Sequence, residues 1–148
     1  MEIRKMCPAD FEPVFAMMEV FYASDALLIH PDRAVLRRTL SDCVGDCPFL
    51  EGFVFQAEGH PVGYAMLAKS YSTEAGGLCI WIEDLYLCPA YRGQGLGSEF
   101  LAMLRQHYQG KAVRLRLEAE PGNENAIAVY QRAGFSVLGY TQLIQDLS

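Results

Sequence analysis

Two adjacent acidic residues interrupt an apolar stretch in the middle of the chain. Glu83 and Asp84 lie within residues 79–87, whose β-branched and aromatic residues are typical of an interior strand. A carboxylate in such a strand is costly to bury, and burial raises its pKa toward the range of a useful general base. Strand alternation predicts that the two acids lie on opposite faces, one as a base and the other structural. An ion pair with Arg114 or Arg116 is the alternative.

A glycine-rich loop follows this strand after Pro89. Glycine recurs at positions 93, 95 and 97, so backbone amides can turn toward one point and a ligand can approach closely. The helix predicted over residues 96–108 adds its positive N-terminal end there. The loop lacks the lysine of a Walker A motif and the spacing of a dinucleotide fingerprint. The pattern therefore indicates a phosphate site of another kind, or simply a tight turn.

The remaining elements follow from periodicity and turn residues. The sequence predicts a strand at 2–6, a helix after Asp10, a helix from Pro31 to Gly45, and a hairpin of strands 52–58 and 61–71. Further predictions are a strand at 113–119, a last helix from Asn123 to Gly134, and a closing strand or hairpin in 135–147. This order indicates one α/β (α+β) domain over residues 1–148 with a mixed sheet.

Two motifs, in this order, resemble the GNAT superfamily of acyl-CoA N-acyltransferases. The strand, Glu-Asp, Pro and then Arg-Gly-x-Gly-x-Gly from Arg92 resembles its pantetheine and pyrophosphate site. Asn123, seven residues before Tyr130, with Gly134-Phe135 beyond, resembles its second signature. The likeness covers nearly the whole chain. It implies a single GNAT-like domain with a mixed, mostly antiparallel sheet of six to seven strands flanked by about four helices.

The resemblance also implies acetyl-CoA as cosubstrate. The backbone of Leu85, Tyr86 and Leu87 would pair with pantetheine, and the amide near Leu85 would polarise the thioester carbonyl. Asn123, which has a plain explanation as a helix N-cap, would also hydrogen-bond to the pantetheine arm. The loop amides would hold the pyrophosphate, and they belong to Arg92, Gly93, Gln94, Gly95, Leu96, Gly97 and Ser98.

Acetyl transfer to an amine requires both a base and an acid. An alkylamine with a pKa of roughly 10 is protonated at neutral pH, so a base must take a proton from it. The resemblance favours Glu83 for that role, acting directly or through water, and Tyr130 as the acid for the departing thiolate. Tyr130 as an ordinary buried tyrosine is the alternative. No cysteine has a recognisable nucleophile setting, which favours direct attack in a ternary complex.

The acceptor is predicted to be a small cationic amine. The motif Ile-Glu-Asp-Leu-Tyr-Leu at 82–87 is similar to that of diamine and polyamine acetyltransferases, and the predicted substrate-binding residues are Tyr22, Asp25, Trp81, Glu83 and Asp84. An aminoglycoside, an amino acid or a protein N-terminus stays open as acceptor. A non-catalytic acyl-CoA-binding sensor is the rival from another class, and it predicts binding without turnover.

Composition limits the possible partners and location. The net charge of −6 disfavours nucleic-acid binding and suits a cationic substrate, although acidity can serve solubility alone. No apolar run approaches the 18 or so residues of a membrane span, so no membrane partner is expected. Five cysteines among apolar residues indicate a reducing, cytoplasmic location, and we predict no metal site at the Cys43 and Cys47 pair. Relatives of this family suggest a possible homodimer.

Overall fold

The computed structural model describes residues 1–147 as a five-stranded sheet with helices on both faces. Short 3-10 turns at Pro8–Asp10 and Pro89–Tyr91 precede α1 and the glycine loop. The regular elements in chain order are β1 (Glu2–Lys5), α1 (Phe11–Tyr22), α2 (Arg33–Val44), β2 (Leu50–Ala57), β3 (His60–Ser72), β4 (Gly77–Leu87), α3 (Leu96–Tyr108), β5 (Arg114–Leu117) and α4 (Glu124–Arg132).

The strands are ordered β1-β2-β3-β4-β5, with three antiparallel pairings and one parallel pairing between β4 and β5. The predicted mixed sheet and four helices are confirmed. The prediction of six to seven strands is wrong, because the described chain forms five. Residues 135–147, predicted to close the sheet, contain no strand because no other strand of the described chain pairs with them.

Each face of the sheet carries its own apolar core. The helix α3 packs on one face through Phe100, Leu101 and Leu104, which contact buried residues of β2, β3 and β4. On the other face, α1 and α2 cover Val54, Tyr64 and other central side chains; these helices contribute Val14, Phe15, Met17, Met18, Leu36 and Leu40. Burial of both faces explains why the central strands are apolar over their whole length.

A β-bulge interrupts β4 at the two acids. Leu67 of β3 pairs with Ile82, but the preceding Met66 pairs with Asp84, so Glu83 is an extra residue without a partner. Side chains before the bulge alternate differently from those after it. Ile82 therefore packs with α3, while Asp84 faces the side of α1 and α2. The bulge was not predicted, because simple alternation assumes an unbroken register.

Gly63 sets the spacing between β3 and β4 next to this site. A Cβ at position 63 would lie 2.5 Å from the carbonyl oxygen of Tyr86, which backbone pairing holds in place. We expect Gly63→Ala to lower the free energy of unfolding by about 1–3 kcal/mol, as overpacking does. Chemical denaturation measures the effect. The control Gly139→Ala, with no atom within 4 Å of its Cβ, should change stability by less than about 0.5 kcal/mol, and equal effects would contradict the prediction.

Candidate active site

Asp84 is the buried acid of the pair. Its side chain receives hydrogen bonds from the hydroxyl of Tyr22, at the end of α1, at 2.5 Å and from that of Tyr64, in β3, at 2.7 Å. Burial raises the pKa of Asp84, and the two hydrogen bonds act in the opposite direction. Burial, together with the charge of Asp84, raises the pKa of both tyrosines, which therefore keep their protons at neutral pH.

Glu83 is exposed, contrary to the prediction that this acid is buried within the strand. The bulge explains the difference, because it turns the extra residue out of the alternating pattern. The pKa of Glu83 is still raised, first by partial desolvation and then by the carboxylates of Asp84 and Glu118. An exposed carboxylate with a raised pKa can exchange protons with an amine or a water molecule at this surface.

Neither acid forms the predicted alternative ion pair within the described residues. Arg114 instead contacts Glu74, with 2.7 Å between Nη1 and Oε1. The guanidinium of Arg116 lies 4.2 Å from the ring centroid of Trp81 in a cation–π contact. The charges of Glu83 and Asp84 are thus not neutralised by these arginines, which leaves negative potential at the bulge for a cationic partner.

The predicted substrate-binding residues are only partly brought together. Tyr22 and Asp84 are in direct contact, and Glu83 directly precedes Asp84 in the chain. Trp81 is half-buried two residues before the bulge. Asp25 lies exposed in the segment after α1 and makes no hydrogen bond to the residues that the structure describes. The geometry therefore groups four of the five around β4 and leaves Asp25 apart.

The parallel pairing between β4 and β5 ends at the bulge. Ile82 pairs with Leu117, and beyond that pair no described strand adjoins residues 83–87 on the β5 side. The backbone of Leu85 and Leu87 therefore borders an opening in the sheet. The Leu87 carbonyl already accepts a 2.8 Å hydrogen bond from Nε of Arg92, whose guanidinium also lies 5.4 Å from the Tyr86 ring centroid.

The glycine loop provides an open helix N-terminus beside this opening. Gly93 and Gly95 have φ values of +74° and +80°, a region that disfavours other residues, and Gly95 is the N-cap of α3. No side chain of residues 1–147 caps the helix, so the first-turn amides of Leu96, Gly97 and Ser98 point out of it without a partner in that range. A Cβ at any of the three glycines would meet only open space. The residues present therefore fit a bound diphosphate.

Asn123 and Tyr130 lie at the start of α4 and within it, respectively. The side-chain oxygen of Asn123 accepts a 3.4 Å hydrogen bond from the amide of Ala126, which confirms its N-cap role. Tyr130 is half-buried and packs edge-to-face on Phe135, with 6.3 Å between the ring centroids. Burial raises the pKa of Tyr130, so its hydroxyl carries a proton at neutral pH.

A cavity of about 850 Å³ lies between β5, α4 and the C-terminal segment. Its lining includes the predicted residues Trp81 and Tyr130, and also Glu118, but not Glu83.

Sequence reasoning missed two residues of the site, Glu118 and Tyr64. Tyr64 had a signal, since a tyrosine inside an apolar strand needs a hydrogen-bond partner for its hydroxyl. For Glu118, the sequence offers no signal beyond its place at the end of a predicted strand.

The sequence profile of the Acetyltransferase (GNAT) family matches residues 17–135. The chain belongs to this family. It is 35% identical over 103 residues to thialysine N-epsilon-acetyltransferase of Bos taurus, which covers 64% of this chain and 60% of the relative. It is 32% identical over 98 residues to spermine/spermidine N(1)-acetyltransferase of Bacillus subtilis (strain 168), with 64% of each chain covered. The chain thus spans about three fifths of the length of these relatives.

Solved structures share the fold of this GNAT chain. A possible acetyltransferase from Clostridium difficile 630 superposes with a TM-score of 0.85 at 20% identity, covering 99% of this chain and 97% of the other. The aminoglycoside N-acetyltransferase AAC(6')-Iy in complex with CoA superposes with a TM-score of 0.80 at 16% identity, covering 99% of this chain and 95% of the other.

None of the helices in residues 1–147 has the length and apolar character that a membrane span requires. The same residues contain no group of three potential metal ligands.

The hydrogen bond from Tyr64 should stabilise the charged form of Asp84. Tyr64→Phe removes one donor to a buried carboxylate and should lower the free energy of unfolding at neutral pH by about 1–3 kcal/mol. The loss of that donor raises the pKa of Asp84 in the folded state, so the difference from wild type should shrink as the pH falls and Asp84 is protonated in both.

Denaturant titrations across pH measure this difference. The control Tyr71→Phe changes an exposed tyrosine of the same strand and should have little effect at any pH. A Tyr64→Phe penalty that does not change with pH would show that Asp84 does not carry the interaction.

Proposed function

We propose that this protein is an acetyl-CoA-dependent N-acetyltransferase that acetylates a primary amine, such as that of a diamine or polyamine. The observation that carries the proposal is the opening beside residues 83–87, which adjoins the uncapped N-terminus of α3. An extended thioester arm suits the unpaired backbone, and a diphosphate suits the amides of the helix. Relatives named as acetyltransferases of spermine, spermidine and thialysine support the chemistry.

Acetyl-CoA supplies an activated acetyl group on a thioester when it is bound. The residues proposed to hold it are the backbone of Leu85, Tyr86 and Leu87, the loop amides of residues 92–98, and the side chain of Asn123. The side-chain oxygen of Asn123 caps α4, and its amide group offers two donors for a ligand. The backbone amide near Leu85 is proposed to polarise the carbonyl, because it lies where β4 has no strand partner on the β5 side.

Glu83 and Tyr130 are proposed to move the two protons. The exposed carboxylate of Glu83 takes a proton from the amine, directly or through a water molecule, and its raised pKa suits that exchange. The protonated hydroxyl of Tyr130 supplies the proton that a leaving thiolate requires. The amine is proposed to attack the thioester directly in a ternary complex. The five free cysteines support this, because none has a sequence setting typical of a nucleophile that would carry the acetyl group.

The acceptor is proposed to be small and cationic because uncompensated acids surround the bulge. Glu83 and Glu118 lie close enough for one carboxylate to raise the pKa of the other. The charge of Glu118 would hold a second ammonium group of a diamine while Glu83 acts on the first. Tyr22, Asp84 and Trp81 would form the adjoining wall, and Asp25 a more distant contact.

The protein is proposed to be cytoplasmic. All five cysteines are free thiols, which supports a reducing compartment.

The proposal is tested by release of free thiol from acetyl-CoA across a panel of diamines, polyamines, aminoglycosides and peptides. We expect turnover with a diamine or polyamine. Loss of the base in Glu83→Gln or of the acid in Tyr130→Phe should lower kcat by about 10²–10⁴-fold. Calorimetric affinity for CoA should change little in either variant, because neither side chain is proposed to hold the diphosphate.

Two matched variants control for the substitutions themselves. Glu124→Gln alters an exposed acid in the first turn of α4, and Tyr71→Phe alters an exposed tyrosine; both should retain wild-type turnover. Binding of CoA without thiol release for every acceptor would favour the alternative, a non-catalytic acyl-CoA sensor. Turnover only with aminoglycosides or peptide N-termini would overturn the proposed acceptor class and leave the reaction intact.

The pH dependence of kcat/KM should show whether the base is the acid whose pKa the charge of Glu118 raises. Activity falls at low pH as the base is protonated, and the negative charge of Glu118 raises the pKa of Glu83. Glu118→Gln should therefore shift the acidic limb of kcat/KM to lower pH, whereas Glu124→Gln should not. The measurement is kcat/KM for one diamine across pH. An acidic limb that stays in place in Glu118→Gln would remove Glu83 as its source.

A further inference from the structure

The face of the sheet that carries Asp84 also carries an exposed-edge arginine, Arg116 of β5. Arg116 pairs across the strands with Trp81, and its guanidinium lies 4.2 Å from the centroid of that ring. Ile80 and Ile82 pack toward α3, so the intervening Trp81 lies on the opposite face, the side of α1 and α2. Arg116 therefore lies on the same side of the sheet as the buried acid.

The charge of Arg116 is available to a ligand. Its side chain is half-buried, and the ion pairs within residues 1–147 do not include it. Glu74 is close enough to feel this charge, but Arg114 holds it, with 2.7 Å between Nη1 and Oε1. Contact with the ring of Trp81 orients the planar guanidinium, whose N–H groups at the edge can still bind an anion. Such an oriented guanidinium suits a carboxylate.

An acid lies two residues further along the same segment. Glu118 follows β5, and two residues of extended chain span about 7 Å. Arg116 and Glu118 both line the cavity of about 850 Å³ that Tyr130 also lines. Glu118 is exposed and lies close enough to Glu83 to raise its pKa. The cavity thus presents one positive and one negative group within electrostatic range of the candidate base.

We propose that the acceptor is a diamino acid, such as lysine or ornithine, rather than a diamine without a carboxylate. Its side-chain amine reacts beside Glu83, its α-ammonium group contacts Glu118, and its α-carboxylate accepts hydrogen bonds from Arg116. This inference rests on the proposed function, because it assumes acetyl transfer to an amine at Glu83. It adds Arg116 to that site as a specificity residue and gives Trp81 the role of positioning it.

A diamine or polyamine fits this pair of charges less well. Its ammonium groups are attracted by Glu118 but repelled by the guanidinium two residues away. A cationic ligand would also desolvate the half-buried Arg116 without giving it an anion, which costs free energy that a carboxylate offsets. Because Arg116 pairs with Trp81, two residues before Glu83, the carboxylate is held away from the candidate base. The amine remote from the carboxylate therefore reacts.

Two pairs of substrates that differ only in the carboxylate test this inference, lysine with cadaverine and ornithine with putrescine. We expect kcat/KM of wild type to be about 10–100-fold higher for each amino acid, as a hydrogen bond between charged groups allows. Arg116→Gln should lower kcat/KM for the amino acid to the level of the diamine. Arg116→Lys keeps the charge without the planar fork and should retain part of the preference.

Arg105→Gln is the matched control. Arg105 lines the same cavity from α3, which packs on the other face of the sheet, so this variant should keep the wild-type ratio of the two substrates. Trp81→Leu removes the ring that orients the guanidinium and should reduce the ratio, whereas Trp81→Phe should preserve most of it. Equal kcat/KM for both members of each pair in wild type overturns the inference. Equal effects of Arg105→Gln and Arg116→Gln on the ratio also overturn it.

The position of the acetyl group and the binding of products separate recognition from chemistry. NMR of the lysine product should show an acetylated side-chain amine, and acetylation of the α-amine overturns the inference. Calorimetry with CoA-saturated protein should give tighter binding of Nε-acetyl-lysine than of N-acetylcadaverine, and Arg116→Gln should remove that difference. Preferred turnover of the diamines overturns the inference and leaves the proposed function in place, whereas no turnover of any amine overturns both.

Discussion

The buried carboxylate of Asp84 is the interaction on which the geometry of the candidate site depends. Tyr22 of α1 and Tyr64 of β3 both donate hydrogen bonds to it, so one carboxylate of β4 connects α1, β3 and β4. Burying that charge without donors would cost several kcal/mol. The end of α1 and the bulged part of β4 are therefore held in one arrangement, and the candidate base Glu83 sits next to that fixed point.

The bulge accounts for two features that would otherwise need separate explanations. One extra residue in β4 turns Glu83 outward while Asp84 stays buried, and bulges also bend and twist the strand that carries them. The pairing of β4 with β5 stops at Ile82, immediately before the extra residue. The position of the candidate base and the opening for an extended ligand thus coincide at one irregularity of the backbone.

The sequence allowed good prediction wherever the signal was local. The helix predicted at 96–108 matches α3 residue for residue, because glycine loops and apolar spacing mark its ends, and Asn123 caps α4 as expected. The bulge was missed because it is defined by the register of a partner strand. The donors to Asp84 lie 62 and 20 residues away in sequence, so no local pattern joins them. The strand predicted in 135–147 does not form, although the outer edge of β5 has no strand partner among the described residues.

The acid role proposed for Tyr130 depends on how well its cavity excludes water. In water, a phenol with a pKa near 10 gives its proton to a thiolate with a pKa near 8.5 at a cost of roughly 2 kcal/mol. Burial raises the pKa of Tyr130, which increases that cost. The same desolvation raises the pKa of the departing thiol, because the thiolate is the charged form. A cavity open on one side desolvates both groups incompletely, so the pKa of each group shifts less than it would in an enclosed site. The balance between these two shifts sets the cost of the proton transfer.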